Sequence, residues 1–237
     1  YTRLRREASV EGTSGLSGYL HFGHIGVHDV VFMLLTKAGW TLEQMGTVRT
    51  GSRSGWWGLS DAEEAYLDQI ITWRELGFAM CHHRPEDHDQ YASLPEWAKE
   101  TLASHRVDER PVLYSMDELE RGDTHDELWN AAQLQLREHG WMHNYLRMLW
   151  GKRIVEWSST PEIALERMVE LNNRYALDGQ DPNSYSGIFW VLGRFDRPWG
   201  PERPIFGKIR YMSTERTYKK MDAAAYIRRY AGDGAVS

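Results

Sequence analysis

The feature that most constrains this chain is a succession of helix-start signals, each followed by apolar residues at helical spacing. Ser60-Asp61-Ala62-Glu63 is a capping box, in which the Ser60 hydroxyl and the Glu63 carboxylate each satisfy a free amide at a helix start. It introduces a stripe of Tyr66, Ile70, Trp73 and Gly77 and predicts a helix to about residue 80. Ser159-Thr160-Pro161-Glu162 starts another, because proline in the first turn has no amide to leave unpaired. Ile163, Leu165, Met168, Val169 and Leu171 then supply its apolar face. Residues 126–138 read as a helix that stops at Gly140, 141–157 as the next, and 27–38 and 223–230 as two more. Alternation of the strand kind is confined to 205–212 and is weak there. The polar stretch 84–90 and the segment 108–123 read as long surface connections. The expectation is one mainly α-helical domain over residues 1–237.

Bulk properties narrow the function classes. The chain has 237 residues, enough for one large domain with a substantial core. Eleven Trp and twelve Tyr are an unusual load, and such rings collect at interfaces and cofactor pockets because their polar ends need partners. A single cysteine, Cys81, excludes an intramolecular disulfide and suits a reducing, cytoplasmic setting. No apolar run approaches a membrane span. The first residue is Tyr rather than Met, so the chain reads as a fragment or a trimmed domain. A net charge of −6 argues against indiscriminate nucleic-acid binding, but Arg194, Arg197, Arg203, Lys208, Arg210, Lys219 and Lys220 cluster, as do Arg3, Arg5 and Arg6.

Several constellations can carry chemistry. Thr13-Ser14-Gly15-Leu16-Ser17 is small and hydroxyl-rich, which suits phosphate at a loop-to-helix junction and equally suits a helix cap and turn. Trp150 and Trp157 are seven residues apart and so lie on nearly one helix face; Trp129, on the preceding helix, can pack against them. That arrangement serves either a Trp-rich core or a redox chain. In LNNRYALDGQDPNSYSGIFW, residues 171–190, Asn172 leads into a polar loop with Asp178 and Asp181. A calcium loop counted from Asp178 would need Glu at its twelfth position, where Phe189 stands. Cys81, His82, His83 and His88 lack tetrahedral zinc spacing, so no metal site is expected. His143 and Arg147 are spaced to share a helix face, as a structural pair or an anion site.

In chain order, the segments LSGYLHFG at 16–23, PEWAKETL at 95–102, THDELWNAAQ at 124–133, HGWMHNYLRMLWGKRIVEW at 139–157, LNNRYALDGQDPN at 171–183 and FGKIRYMS at 206–213 resemble the C-terminal FAD-binding domain of class II cyclobutane pyrimidine dimer photolyases. The resemblance covers almost the whole chain and implies a single helical domain of the photolyase/cryptochrome type, with an α/β antenna domain upstream that this chain lacks. It leaves the antenna pigment unassigned. By the resemblance, Tyr1, Thr13, Ser14, Gly15, Leu16 and Ser17 contact FAD, chiefly around its phosphates. Arg147 lies beside the flavin, Asn172 faces its N5 edge, and Asp178 binds the flavin region. Trp150, Trp129 and Trp157 match the electron-transfer set, in that order outward from FAD. Gln69, Trp73, Met148, Trp190 and Arg197 match contacts to the lesion and its DNA.

The implied reaction is light-driven: excited, reduced and anionic FAD passes an electron to a pyrimidine dimer flipped out of damaged DNA, and the electron returns once the ring splits. The implied protein is an intracellular monomer, a deoxyribodipyrimidine photo-lyase, with no membrane partner. Gln69 stands where that family has a Glu, Asn144 replaces a usual Gly, and the loop Gly193-Arg194-Phe195-Asp196 is one residue shorter and lacks the common His. Glutamine keeps an acceptor and donors but has no charge and no proton to transfer. These departures keep a cryptochrome-like photosensory flavoprotein as the alternative.

Overall fold

The computed structural model describes residues 12–47, 52 and 54–231. Its architecture is helical: α1 (Ser17–His21), α2 (Val27–Lys37), α3 (Asp61–Leu67), α4 (Arg74–His83), α5 (Glu96–Ser104), α6 (Met116–Arg121), α7 (Glu127–His139), α8 (Asn144–Glu156), α9 (Pro161–Tyr175), α10 (Pro182–Val191), α11 (Thr214–Tyr218) and α12 (Ala223–Tyr230). Among the described residues there is no β-strand. The 205–212 segment is turns, with one isolated bridge between Arg203 and Gly207, and Ile205 at φ 70° breaks any extended run.

The sequence punctuation acts as expected at most helix ends. Ser60 accepts from the Glu63 amide and Thr160 from the Ile163 amide. Gly140 closes α7 in the left-handed region, at φ 72°. Between α3 and α4 the helix does not break: Asp68–Trp73 forms a π turn, in which hydrogen bonds skip one extra residue. Two expectations need correction. The 108–123 segment contains α6, begun by a second capping box, Ser115 with Glu118. The 141–157 helix begins three residues late, at Asn144, because the His143 ring accepts the Tyr145 amide as its cap.

The main core lies among α7, α8, α9, α10 and α12. Leu128, Trp129, Leu136, Leu146, Leu149, Ile154, Met168 and Leu171 are buried together there. Close backbone approach sets two of its joints. A Cβ at Gly151 of α8 would meet the Val191 side chain at 2.6 Å, and one at Gly77 of α4 would meet the Pro182 carbonyl oxygen at 2.8 Å. Glycine therefore lets α10 lie directly on both α8 and α4.

A smaller cluster of Val30, Leu67 and Ile70 joins α2 to the α3 helix and takes Leu16, Leu20 and Trp57 against it. The buried Glu64 carboxylate gathers the backbone amides of Gly55, Trp56, Trp57 and Leu59. Burial pushes its pKa up, but those four amides outweigh burial and hold it below the usual carboxylate value.

Candidate functional site

The junction between α9 and α10 gathers most of the polar residues singled out from sequence. Asn172 is buried in the last turn of α9, where its Nδ2 donates to Ser184 Oγ at 2.8 Å and to Asn173 Oδ1 at 3.4 Å. Asp181 caps α10 by accepting the Asn183 amide, and Pro182 fills the first helical position. Between them, the Leu177 amide donates to the Gly140 carbonyl at 2.7 Å, which ties the loop to the end of α7. Asp178 Oδ1 lies 3.5 Å from an Arg147 guanidinium nitrogen, yet it is buried and accepts no hydrogen bond.

Around this junction, α1 brings in the hydroxyl-rich segment. A Cβ at Gly18 would touch Leu177 at 3.4 Å, and His21 Nδ1 is 3.5 Å from Asp181. Thr13, Ser14, Gly15 and Ser17 are exposed, with Leu16 half-buried, and Gly15 turns the chain at φ 66°. Tyr1 lies outside the described residues. His143 and Arg147 take separate duties, His143 as the cap of α8 and Arg147 beside Asp178.

The set fits FAD, the cofactor implied by the resemblance. A buried carboxylate oxygen without a donor, an arginine and a buried amide suit a ring edge that both donates and accepts. The exposed hydroxyls suit phosphates.

The three tryptophans form one buried string. The Trp150 indole N–H donates to Gln133 Oε1 at 2.8 Å, and that of Trp129 to the Trp150 carbonyl at 3.0 Å. Trp129 meets Trp157 edge-on with centroids 5.3 Å apart. Trp157 is itself sealed, at 1% exposure. Two residues missed from sequence lead on from it: the Tyr114 and His125 rings stand 5.2 and 5.3 Å from Trp157, and the Tyr114 hydroxyl is 2.6 Å from His125 Nδ1.

At the far end of α10, Trp190 packs on Trp73 of the π turn, with centroids 4.7 Å apart at 57°. Asp68, also missed from sequence, organises this corner. Its Oδ2 accepts the Trp73 indole N–H at 2.9 Å and the Gln69 amide at 3.3 Å. Met148 is half-buried against the main core. Arg197 is exposed and lies 4.2 Å from the centroid of Trp199, whose ring also meets Arg210 at 4.8 Å.

Two buried basic side chains hold this end of α10. Arg194 stacks 3.6 Å over Phe189 and donates to the His88 carbonyl at 2.7 Å and to Ser93 Oγ. Burial, with Arg84 adding to it, brings the Arg194 pKa down to about 10. Lys152 donates to the Val191 carbonyl, and burial brings its pKa down to about 7, against the pull of Asp196 and with help from Arg210. The His82 and His83 rings meet edge-on, 4.9 Å apart, in the last turn of α4. Among the described residues no group of three metal-ligating side chains forms, and no helix is long and apolar enough to cross a membrane.

No protein-family model matches the chain. Individual proteins do. A deoxyribodipyrimidine photo-lyase from Oryza sativa subsp. japonica is 40% identical over 223 residues, covering 92% of this chain and 40% of that protein. The proteins of the same name from Arabidopsis thaliana and Methanothermobacter thermautotrophicus are 38% and 37% identical, over 90% and 98% of this chain. The curated relatives are photo-lyases. The chain spans 39% and 46% of the latter two, so it corresponds to less than half of each photo-lyase. A bacterial class III photolyase from Agrobacterium tumefaciens superposes with a TM-score of 0.61 at 18% identity, over 95% of this chain and 40% of that one. The helical fold is therefore one found in a photolyase.

Proposed function

We propose that this chain is the FAD-binding and lesion-binding helical domain of a class II cyclobutane pyrimidine dimer photolyase. The observation that carries the reading is α10 itself. Its first turn holds Ser184 against Asn172, and its last turn sets Trp190 on Trp73. Ser184 and Trp190 are six residues apart, about 9 Å along the helix axis. One short, doubly packed helix thus keeps Asn172 and the Trp73–Trp190 pair at a fixed separation, which supports a reading in which the first faces the flavin and the second the lesion.

When bound and reduced, FAD supplies the light-excited electron that splits the dimer. The protein supplies everything around it. Arg147 and Asp178 set charge beside the ring, and Asn172 addresses its N5 edge without adding a fixed negative charge. Exposed hydroxyls from Thr13 to Ser17 meet the phosphates. Trp73 and Trp190 offer flat apolar faces to a flipped lesion, with Met148 beside it. A dimer is already poorly stacked, which lowers the energy needed to extract it. Arg197, held over Trp199, brings positive charge to the gap left in the duplex. Trp150, Trp129 and Trp157 form the path by which an oxidised flavin is re-reduced. The protein acts as a monomer on damaged DNA inside the cell.

The deciding experiment illuminates dimer-containing DNA with the native-length protein, its flavin fully reduced beforehand. Conversion to intact pyrimidines is expected, and its absence would reject the assignment. Gln69 favours a second reading, a cryptochrome-like photosensor, which predicts light-dependent flavin reduction with negligible affinity for dimer-containing DNA.

A further inference from the structure

We propose that Ser184 is a positioning residue: together with Asn173 it turns the Asn172 amide so that the oxygen, not the nitrogen, is the end offered to the flavin N5. This rests on the flavin reading above.

The orientation follows from a chain of hydrogen bonds that starts at the backbone. The Gln180 amide donates to Asn173 Oδ1 at 3.1 Å, and a backbone N–H can only donate, so that atom is the oxygen. The Asn172 amide atom 3.4 Å from it must then be a donor, since two carbonyl oxygens would repel. The same nitrogen lies 2.8 Å from Ser184 Oγ, which takes its other hydrogen. Asn173 is held in turn from the far side, its Nδ2 donating to the Tyr185 hydroxyl at 3.1 Å. Asn172 and Ser184 are 2% and 3% exposed, so water does not compete for these bonds. Both amide hydrogens are committed to protein. Asn172 Oδ1 accepts no hydrogen bond among the described residues and is the free end.

An oxygen facing N5 discriminates between flavin redox states. Oxidised N5 is an acceptor, which a facing oxygen repels. Two-electron reduction adds one proton at N5 while N1 stays deprotonated, and the new N5–H then has an acceptor waiting. Ser184 therefore biases the flavin toward its reduced form by way of Asn172. A structural hydroxyl would have no such effect on potential.

The test is a spectroelectrochemical titration of bound flavin in the parent, Ser184→Ala and Ser184→Thr proteins at one pH. In Ser184→Ala the amide loses its main acceptor and can turn its nitrogen to N5. The ratio of reduced to oxidised flavin at a fixed potential should fall about tenfold, the scale of one hydrogen bond. For a two-electron couple that is a midpoint about 30 mV more negative. Ser184→Thr keeps the acceptor and should restore the parent value. An unchanged midpoint in flavin-loaded Ser184→Ala overturns the role of Ser184 and leaves the flavin reading standing. If the parent, offered FAD, takes up no flavin, both fall together. Should Ser184→Ala not fold, Asn173→Ala removes the other acceptor and must shift the midpoint in the same direction, or the proposal is wrong.

Discussion

The indole N–H of Trp129 donates to the backbone carbonyl of Trp150 at 3.0 Å, while its ring meets Trp157 5.3 Å away. Trp129 is thus in direct contact with both of the other tryptophans in the string. All three are buried, and both contacts fasten α7 to α8, one within α8 and the other at Trp157, the residue that caps its end.

Replacing Trp150 with Phe should slow photoreduction of oxidised flavin and leave repair by prereduced protein largely intact. Flash photolysis separates the two, and equal photoreduction rates in variant and parent would mean that the string is only core. The substitution also strands Gln133 Oε1, a fully buried acceptor. One such orphan costs about 1–3 kcal/mol. At about 2–4 °C per kcal/mol for a chain of this size, the melting temperature should drop measurably.

Gln69→Glu tests the proposed lesion contact at the Trp73–Trp190 corner. The new carboxyl would sit beside Asp68, whose Oδ2 is 3.3 Å from the present Gln69 amide nitrogen. Two carboxyls that close cannot both ionise easily, so one takes a raised pKa. Repair should therefore exceed that of the parent on the acid side and fall back as pH rises through that pKa. A flat profile of repair rate against pH would show that the pair is uncoupled.

Gly77→Ala sets two effects against each other. In an open helix, alanine would stabilise by about 1 kcal/mol. Here the added Cβ meets the Pro182 backbone oxygen at 2.8 Å, and overpacking of that kind costs about 1–3 kcal/mol. The clash is with backbone, so it should win: urea unfolding should show net destabilisation, together with weaker binding of dimer-containing DNA as α4 is pushed from α10.

Lys152 gives a pH signature. Its pKa is about 7 in the fold against 10.5 for an ordinary lysine. Between those values the unfolded chain holds a proton that the folded chain has released, so this residue makes stability rise with pH from about 7 toward 10.5. The slope is at most about 1.4 kcal/mol per pH unit. Urea midpoints measured across that window should climb in the parent and flatten in Lys152→Met. Asp196 and Arg210 remain in both proteins, so their charges do not account for the difference.

Much of the fold was legible in the sequence because caps are local. Ser60, Thr160 with Pro161, and Gly140 each mark a helix end with chemistry that needs no distant partner. The same grammar was present at Ser115 with Glu118 and at Asp181 with Pro182, where short helices flanked by polar loops hid it. Asp68 and Ser184 were not legible. Their roles depend on a π turn and on the approach of α9 to α10, neither of which leaves a compositional mark. Tyr114 and His125 likewise acquire meaning only when the chain folds them onto Trp157.

The π turn at Asp68–Trp73 has a consequence for what this chain tolerates. A π turn is an α-helix with one residue too many, and each residue advances a helix by about 100°. Deleting any single residue there would let the turn relax into regular helix, but it would swing all of α4 around its axis by that angle relative to α3. Gly77 would rotate off Pro182, and Trp73 would lose its bearing on Trp190. Between Leu67 and Arg74, residue number is a harder constraint than residue identity.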